Sequence, residues 1–138
     1  AMYHAKRSGR ARTEYYRREL GEAIARRLII ESALREARHG DGLDLRLQPQ
    51  VCMRQGGRLV GAEALLRWRH PQLGEAMPDS FIGPAEETGL IVPIGRWVLQ
   101  TAAAAAVRCN RGLPRGAPPL VIAVNVSTRQ FVDDDLPA

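Results

Sequence analysis

The chain has 138 residues, of which 45% are hydrophobic and 25% charged, with a formal net charge of +5; that is the profile of an ordinary soluble globular chain with enough length for one core. No apolar run approaches the ~20 residues that span a bilayer and no leader pattern opens the sequence, so a membrane span is not expected and the cytoplasm is the expected compartment. The basic excess is local: residues 1–39 hold ten Lys/Arg against five Asp/Glu, and residues 40–138 hold ten of each.

Residues 1–12, "AMYHAKRSGRAR", look like the tail of a helix followed by a Ser-Gly stop. Residues 13–38 carry one long helical pattern, with Thr13 placed to cap it and Gly40 and Gly42 placed to stop it. Leu20, Ala23, Ile30, Leu34 and Ala37 recur at three- and four-residue steps, an apolar seam that Arg27 interrupts. The seam is too short to assert a coiled coil, so a linker helix packing on a neighbouring domain is expected. Acids are interleaved with its arginines and stacking aromatics are few, which favours a solvated helix face over a nucleic-acid surface, and no DNA partner is expected.

"LDLRLQPQVCM" alternates and meets the turn signal "RQGGR", after which "LVGAEALLRW" reads as a second strand paired with the first. Two helices are expected next, residues 78–88 with Asp79 as N-cap and Gly89 as stop, and residues 94–111, whose alanines favour helix and close packing. "RGLPRGAPP" is a loop. "LVIAVNVS", residues 120–127, reads as a third strand apolar on both faces, as in a strand covered on both sides. The order is β-β-α-α-β. Cys52 and Cys109 have no second Cys or His at ligand spacing and read as reduced thiols.

Glu63 sits in the middle of the second strand. An unpaired buried carboxylate costs several kcal/mol, so its tolerance calls for a partner. Strand alternation puts Glu63, Leu65 and Arg67 on one face and Ala62, Ala64, Leu66 and Trp68 on the other; Ala123, Asn125 and Ser127 share a face, as do Gln48 and Gln50. Carboxylate and amide oxygens suit hard divalent cations, and a guanidinium beside them suits a phosphate. That combination is consistent with metal-assisted chemistry on a phosphate ester. On spacing alone, Glu63 could equally pair with an arginine, and Asn125 could be a hydrogen-bonded core amide.

The residues themselves narrow this. "GAEALLRWRHP", "MPDSFIGPAEETGLIVPIGRWVLQTA" and "AVNVSTRQF", in that order, resemble the EAL domain, the bacterial cyclic-di-GMP phosphodiesterase family, from about Leu43 onward. "AMYHAKRSGR" resembles the last helix of a GGDEF domain, the diguanylate cyclase family, although that family's signature loop is absent. The resemblance implies an α/β fold, part of a TIM-like (β/α) barrel of the EAL type, preceded by a long linker helix. It divides the chain into residues 1–12 (GGDEF tail), 13–40 (linker helix) and 41–138 (the N-terminal part of an EAL domain). It implies that Glu63 and Asn125 are catalytic metal ligands for Mg²⁺ or Mn²⁺ in a two-metal site, and that Gln48, Leu65 and Arg67 contact cyclic di-GMP. The implied reaction is hydrolysis of cyclic di-GMP to a linear dinucleotide, in a protein expected to pair EAL domain to EAL domain.

Departures from the family pattern are local. Leu47 stands where a tyrosine is usual, and Gly83-Pro84 sets the proline one position late, inside a helix, where it costs roughly 1–3 kcal/mol. "FVDDDLPA" follows directly on a helix start and reads as a solvated acidic end, not as the family's Asp-Asp motif. About three of the eight strands of a barrel are expected here, with too few metal ligands for turnover by this chain alone. A non-catalytic cyclic-di-GMP receptor or interaction module is the competing expectation.

Overall fold

A computed structural model describes residues 18–37 and 39–133. In chain order these form α1 (Arg18–Ala37), β1 (Leu43–Cys52), a 3₁₀ turn (Met53–Gln55), β2 (Arg58–His70), β3 (Gly74–Ala76), α2 (Pro78–Thr88), α3 (Ile91–Arg111), β4 (Val121–Val124) and α4 (Thr128–Asp133). The GGDEF-like tail, the Thr13 cap and the end of "FVDDDLPA" lie outside the described residues.

β2 is the centre of a four-stranded sheet. β1 pairs antiparallel along its whole length, from Leu43 opposite Trp68 to Cys52 opposite Arg58, with an irregularity between Gln50 and Val51. β3 and β4 take turns on the other edge: β3 is antiparallel at Trp68–His70 and β4 parallel at Gly61–Ala64. The expected hairpin is therefore present, and β3 is an addition; three residues are too few to show an alternating pattern.

One face of this sheet is covered. Trp68 and Phe81 meet edge to face at 5.3 Å, and with Leu34 and Ile94 they are the largest side chains that are fully buried. Such an aromatic pair is worth roughly 0.5–1.5 kcal/mol beyond the area it buries. α2 and α3 supply Phe81, Ala85, Ile91, Ile94 and Val98 to the same cluster, and α1 supplies Ile30, Ala33, Leu34 and Ala37. Of the apolar seam expected on α1, Ile30, Leu34 and Ala37 are buried and Ala23 is exposed. Arg27, which interrupts the seam, has its own use. Its Nε donates to Glu31 Oε1 at 2.9 Å and its Nη2 pairs with Glu87 on α2. The hydrogen bond to Glu31, then that to Glu87, raises the guanidinium pKa above its ordinary value.

Three boundaries differ from expectation. Asp79 is not the N-cap of α2: Met77 holds that position, Pro78 fills the first turn, and Asp79 follows within it, where a carboxylate still complements the helix dipole. α3 begins at Ile91 rather than residue 94, because Pro93 falls in the first turn, where its missing N–H has no intrahelical partner to lose. β4 is shorter than "LVIAVNVS" and covered on one side only: Val121 is 67% exposed and Ala123 is also exposed. Its entry is pinned by Asn110 near the end of α3, whose side-chain amide exchanges hydrogen bonds with the Leu120 carbonyl at 3.0 Å and the Leu120 N–H at 2.8 Å.

Candidate active site

The open face of the sheet carries the polar residues. Register sets Gln48 on β1 opposite Glu63 on β2, and Glu63 beside Ala123 on β4. Leu65 and Arg67 follow Glu63 on the same face, by strand alternation. Asn125 lies just past the end of β4, two residues beyond Ala123, and its Nδ2 donates to Glu63 Oε1 at 2.8 Å. Four of the five expected site residues thus come from two adjacent strands, and the fifth reaches the first of them by a hydrogen bond.

Glu63 is half-buried and has a partner in Asn125. Partial access to water and the N–H from Asn125 make the position tolerable as it stands. The pair combines a carboxylate with an amide that carries both N–H donors and an oxygen acceptor, a donor set of the kind hard divalent cations prefer. Among the described residues, no group of three or more His, Cys, Asp or Glu could hold a metal ion.

Arg67 is half-buried, and its Nη1 donates to the Leu66 carbonyl at 2.8 Å. That bond uses one of the five donors of the guanidinium fork. Arg67, Leu65 and Asn125 border a cleft of about 380 Å³ that runs between β2, α2 and α3. Further along the open face, Arg46 is engaged by Glu75 at 3.1 Å and Asp44 at 3.6 Å; these are exposed pairs worth roughly 0–1 kcal/mol.

Two residues beside the site make contacts that the sequence reading did not foresee. Ser127 caps α4: its Oγ accepts from the Arg129 N–H at 3.3 Å, and its own N–H donates to Gln130 Oε1 at 3.0 Å. Its hydroxyl also donates to Glu86 Oε1 on α2 at 2.6 Å. The Ser-x-x-Gln spacing of 127–130 is a capping-box signal legible in sequence. Nothing local connects Glu86 to it.

The fold and this face define an EAL domain. The EAL domain family pattern matches residues 31–138, and the chain belongs to that family. The cyclic di-GMP phosphodiesterase PdeR of Escherichia coli (strain K12) is 37% identical over 137 residues, 99% of this chain and 20% of PdeR. The bifunctional diguanylate cyclase/cyclic di-GMP phosphodiesterase MucR of Pseudomonas aeruginosa is 40% identical over 131 residues, 95% of this chain and 18% of MucR. The solved MucR phosphodiesterase–cyclic di-GMP complex matches with a TM-score of 0.62 at 40% identity, over 76% of this chain and 41% of that one. The chain thus spans about a fifth of the length of these relatives.

Proposed function

We propose that the protein carrying this chain hydrolyses one phosphodiester bond of cyclic di-GMP to give the linear dinucleotide. The observation that carries this reading is the 2.8 Å contact between Glu63 and Asn125 on the face shared with Gln48 and Arg67, in a chain of the EAL family. Glu63 and Asn125 would hold Mg²⁺ or Mn²⁺ as part of a larger ligand set. When bound, such cations supply activation of water and neutralisation of charge on the phosphate. Arg67 binds a phosphate oxygen through its planar fork. Gln48 hydrogen-bonds the dinucleotide and Leu65 gives it an apolar contact.

In this reading the open sheet is part of a TIM-like barrel, whose sites lie at the C-terminal ends of the strands. Asn125, one residue past the end of β4, has that location. Residues 1–12 are the tail of a GGDEF domain, residues 13–40 a linker helix whose last turns enter the EAL core, and residues 41–138 the N-terminal part of the EAL domain. The parent protein pairs EAL domain to EAL domain and works in the cytoplasm. Among the described residues no helix is long and apolar enough to cross a membrane.

The test is Glu63→Ala in the full-length protein. Loss of cyclic di-GMP hydrolysis together with loss of Mn²⁺ binding is the expected result, because a ligand is removed. Turnover close to that of the unaltered protein would overturn the role given to Glu63. The 138-residue chain alone, with two ligands of the set, is expected to bind Mg²⁺ or Mn²⁺ weakly and to show no turnover.

A further inference from the structure

Asn125 must stay against Glu63, yet β4 ends at Val124 and the sheet register stops at Ala64 opposite Val124. Asn125 is exposed. Its position therefore depends on what holds the chain immediately after it, and that is Ser127. Every polar atom of Ser127 is engaged: its N–H by Gln130 Oε1 at 3.0 Å, its carbonyl by the Gln130 N–H at 3.0 Å, and its hydroxyl by Glu86 Oε1 at 2.6 Å and the Arg129 N–H at 3.3 Å.

These bonds divide into two kinds. Those to Gln130 and the Arg129 N–H are local and orient the start of α4 on itself. The bond to Glu86 ties the segment to a different element, the C-terminal turn of α2. A 2.6 Å hydroxyl–carboxylate contact is in the range of charge-assisted hydrogen bonds. Glu86 also meets α4 through its main chain, since its carbonyl accepts from Arg129 Nη1, with the Glu87 carbonyl 3.4 Å from the same nitrogen. A second seat lies on α3: Gln130 is 6% exposed, and a Cβ on Gly95 would stand 1.8 Å from its Nε2. The segment after Asn125 is thus clamped from α2 by a charge and from α3 by close packing.

We propose that Glu86 is a positioning residue for Asn125: through the Ser127 hydroxyl it holds the segment that keeps the Asn125 amide on Glu63, and so sets the metal affinity of that pair. The proposal rests on the metal-ligand reading of Glu63 and Asn125. Partners that orient ligands in this way typically contribute roughly 10–100-fold to metal affinity.

The experiment uses the full-length protein carrying Glu86→Ala, Glu86→Gln, Ser127→Ala and the double variant Glu86→Ala/Ser127→Ala, with Glu63→Ala as reference. Two quantities are read: Mn²⁺ affinity by electron paramagnetic resonance, and, without metal, the NMR signal of the Asn125 side-chain amide, assigned by its loss in Asn125→Asp. Glu86→Ala and Ser127→Ala are each expected to weaken Mn²⁺ binding about tenfold and to shift the Asn125 amide signal. The double variant should be no worse than either single change, because the two groups act through one bond. Glu86→Gln keeps an acceptor for the hydroxyl and should stay within about threefold of the unaltered protein. If the alanine variants fail to fold, Ser127→Cys, whose thiol is a weak donor, is the readout: it should weaken Mn²⁺ binding and shift the Asn125 amide, and an unshifted amide with unchanged affinity would overturn the positioning role. An unshifted Asn125 amide and unchanged Mn²⁺ affinity in Glu86→Ala, with Glu63→Ala abolishing binding, would overturn the positioning role and leave the metal reading standing. Mn²⁺ binding that survives Glu63→Ala would overturn the metal reading and with it the affinity claim.

Discussion

A Cβ on Gly61 would lie 2.3 Å from the Val121 carbonyl oxygen, closer than any real contact, and Gly61 is the residue in register with Val121 where β4 joins β2. Absence of a side chain is what lets the parallel pair close, and through it Ala123 comes to lie beside Glu63. Gly61→Ala should therefore push β4 off the sheet, destabilising the fold by about 1–3 kcal/mol and weakening the Asn125–Glu63 contact. Thermal unfolding measures the first effect and Mn²⁺ affinity the second. At Arg67 the expected loss is in binding. Arg67→Ala in the full-length protein should cost about 1.5–3 kcal/mol of affinity for cyclic di-GMP, the scale of a hydrogen bond to a charged group. Arg67→Lys should restore only part of it, since a point charge lacks the fork; titration calorimetry separates the two. The shared face of Glu63, Leu65 and Arg67 was legible in the sequence because strand alternation is local. The contact from Asn125 to Glu63 was not, since it depends on a parallel pairing across two helices, and only family resemblance put the two residues together.

Among the elements, α2 departs most from local preference. Pro84 lies inside it, so the Ser80 carbonyl has no N–H one turn ahead, and the residue before a proline is disfavoured in helical conformation when it carries a Cβ. Gly83 meets that second constraint by having none. The last turn is reinforced instead by Thr88, whose hydroxyl donates to the Pro84 carbonyl at 2.7 Å, and Gly89 ends the helix in the left-handed region at a φ of 77°. Pro84→Ala is expected to restore the missing backbone bond and stabilise the protein by about 1–3 kcal/mol, seen as a raised unfolding midpoint. The Gly89 stop and the interior proline were both readable from residue type. The start of α3 was hidden because Pro93 looks like a boundary in sequence although a helix tolerates it in its first turn. The N-cap of α2 was misplaced for a related reason: Asp79 has the chemistry of a cap, but Pro78 had already claimed the first turn.

At the scale of the whole molecule, the sheet is covered on one face and open at both sides. β1 and β4 each pair only with β2 among the described residues. The β1 side is blunted by Pro49 and the charged Arg46, devices that discourage further pairing. On the β4 side Val121 is 67% exposed, and nearby α4 presents Phe131 at 66% and Val132 at 83%. An apolar strand edge of this kind is a template for association. The 138-residue chain on its own is therefore expected to self-associate, with light scattering showing a mass that rises with concentration and an unfolding midpoint that moves with it. A monomer with a concentration-independent transition would contradict this. The polar-face, helix-face division of the sheet was legible from binary patterning, whereas the exposure of β4 was not: "LVIAVNVS" has the composition of a strand covered on both sides.

The central place of β2 also orders events in time. Its pairing with β1 needs only the short connection through Met53–Gln55, so that edge can zip as a hairpin within microseconds. Its pairing with β4 must wait until α2 and α3 have bridged the distance from Gly61 to Val121, and loop closure of that length makes parallel pairing slow. Gln48 and Glu63 are therefore expected opposite each other early, while Asn125 arrives only with the later pairing of β4. The Glu63–Asn125 pair therefore forms late, and for the interval before that, Glu63 stands on a half-built sheet with an unpaired neighbouring edge, a stage at which the chain needs protection from its own copies.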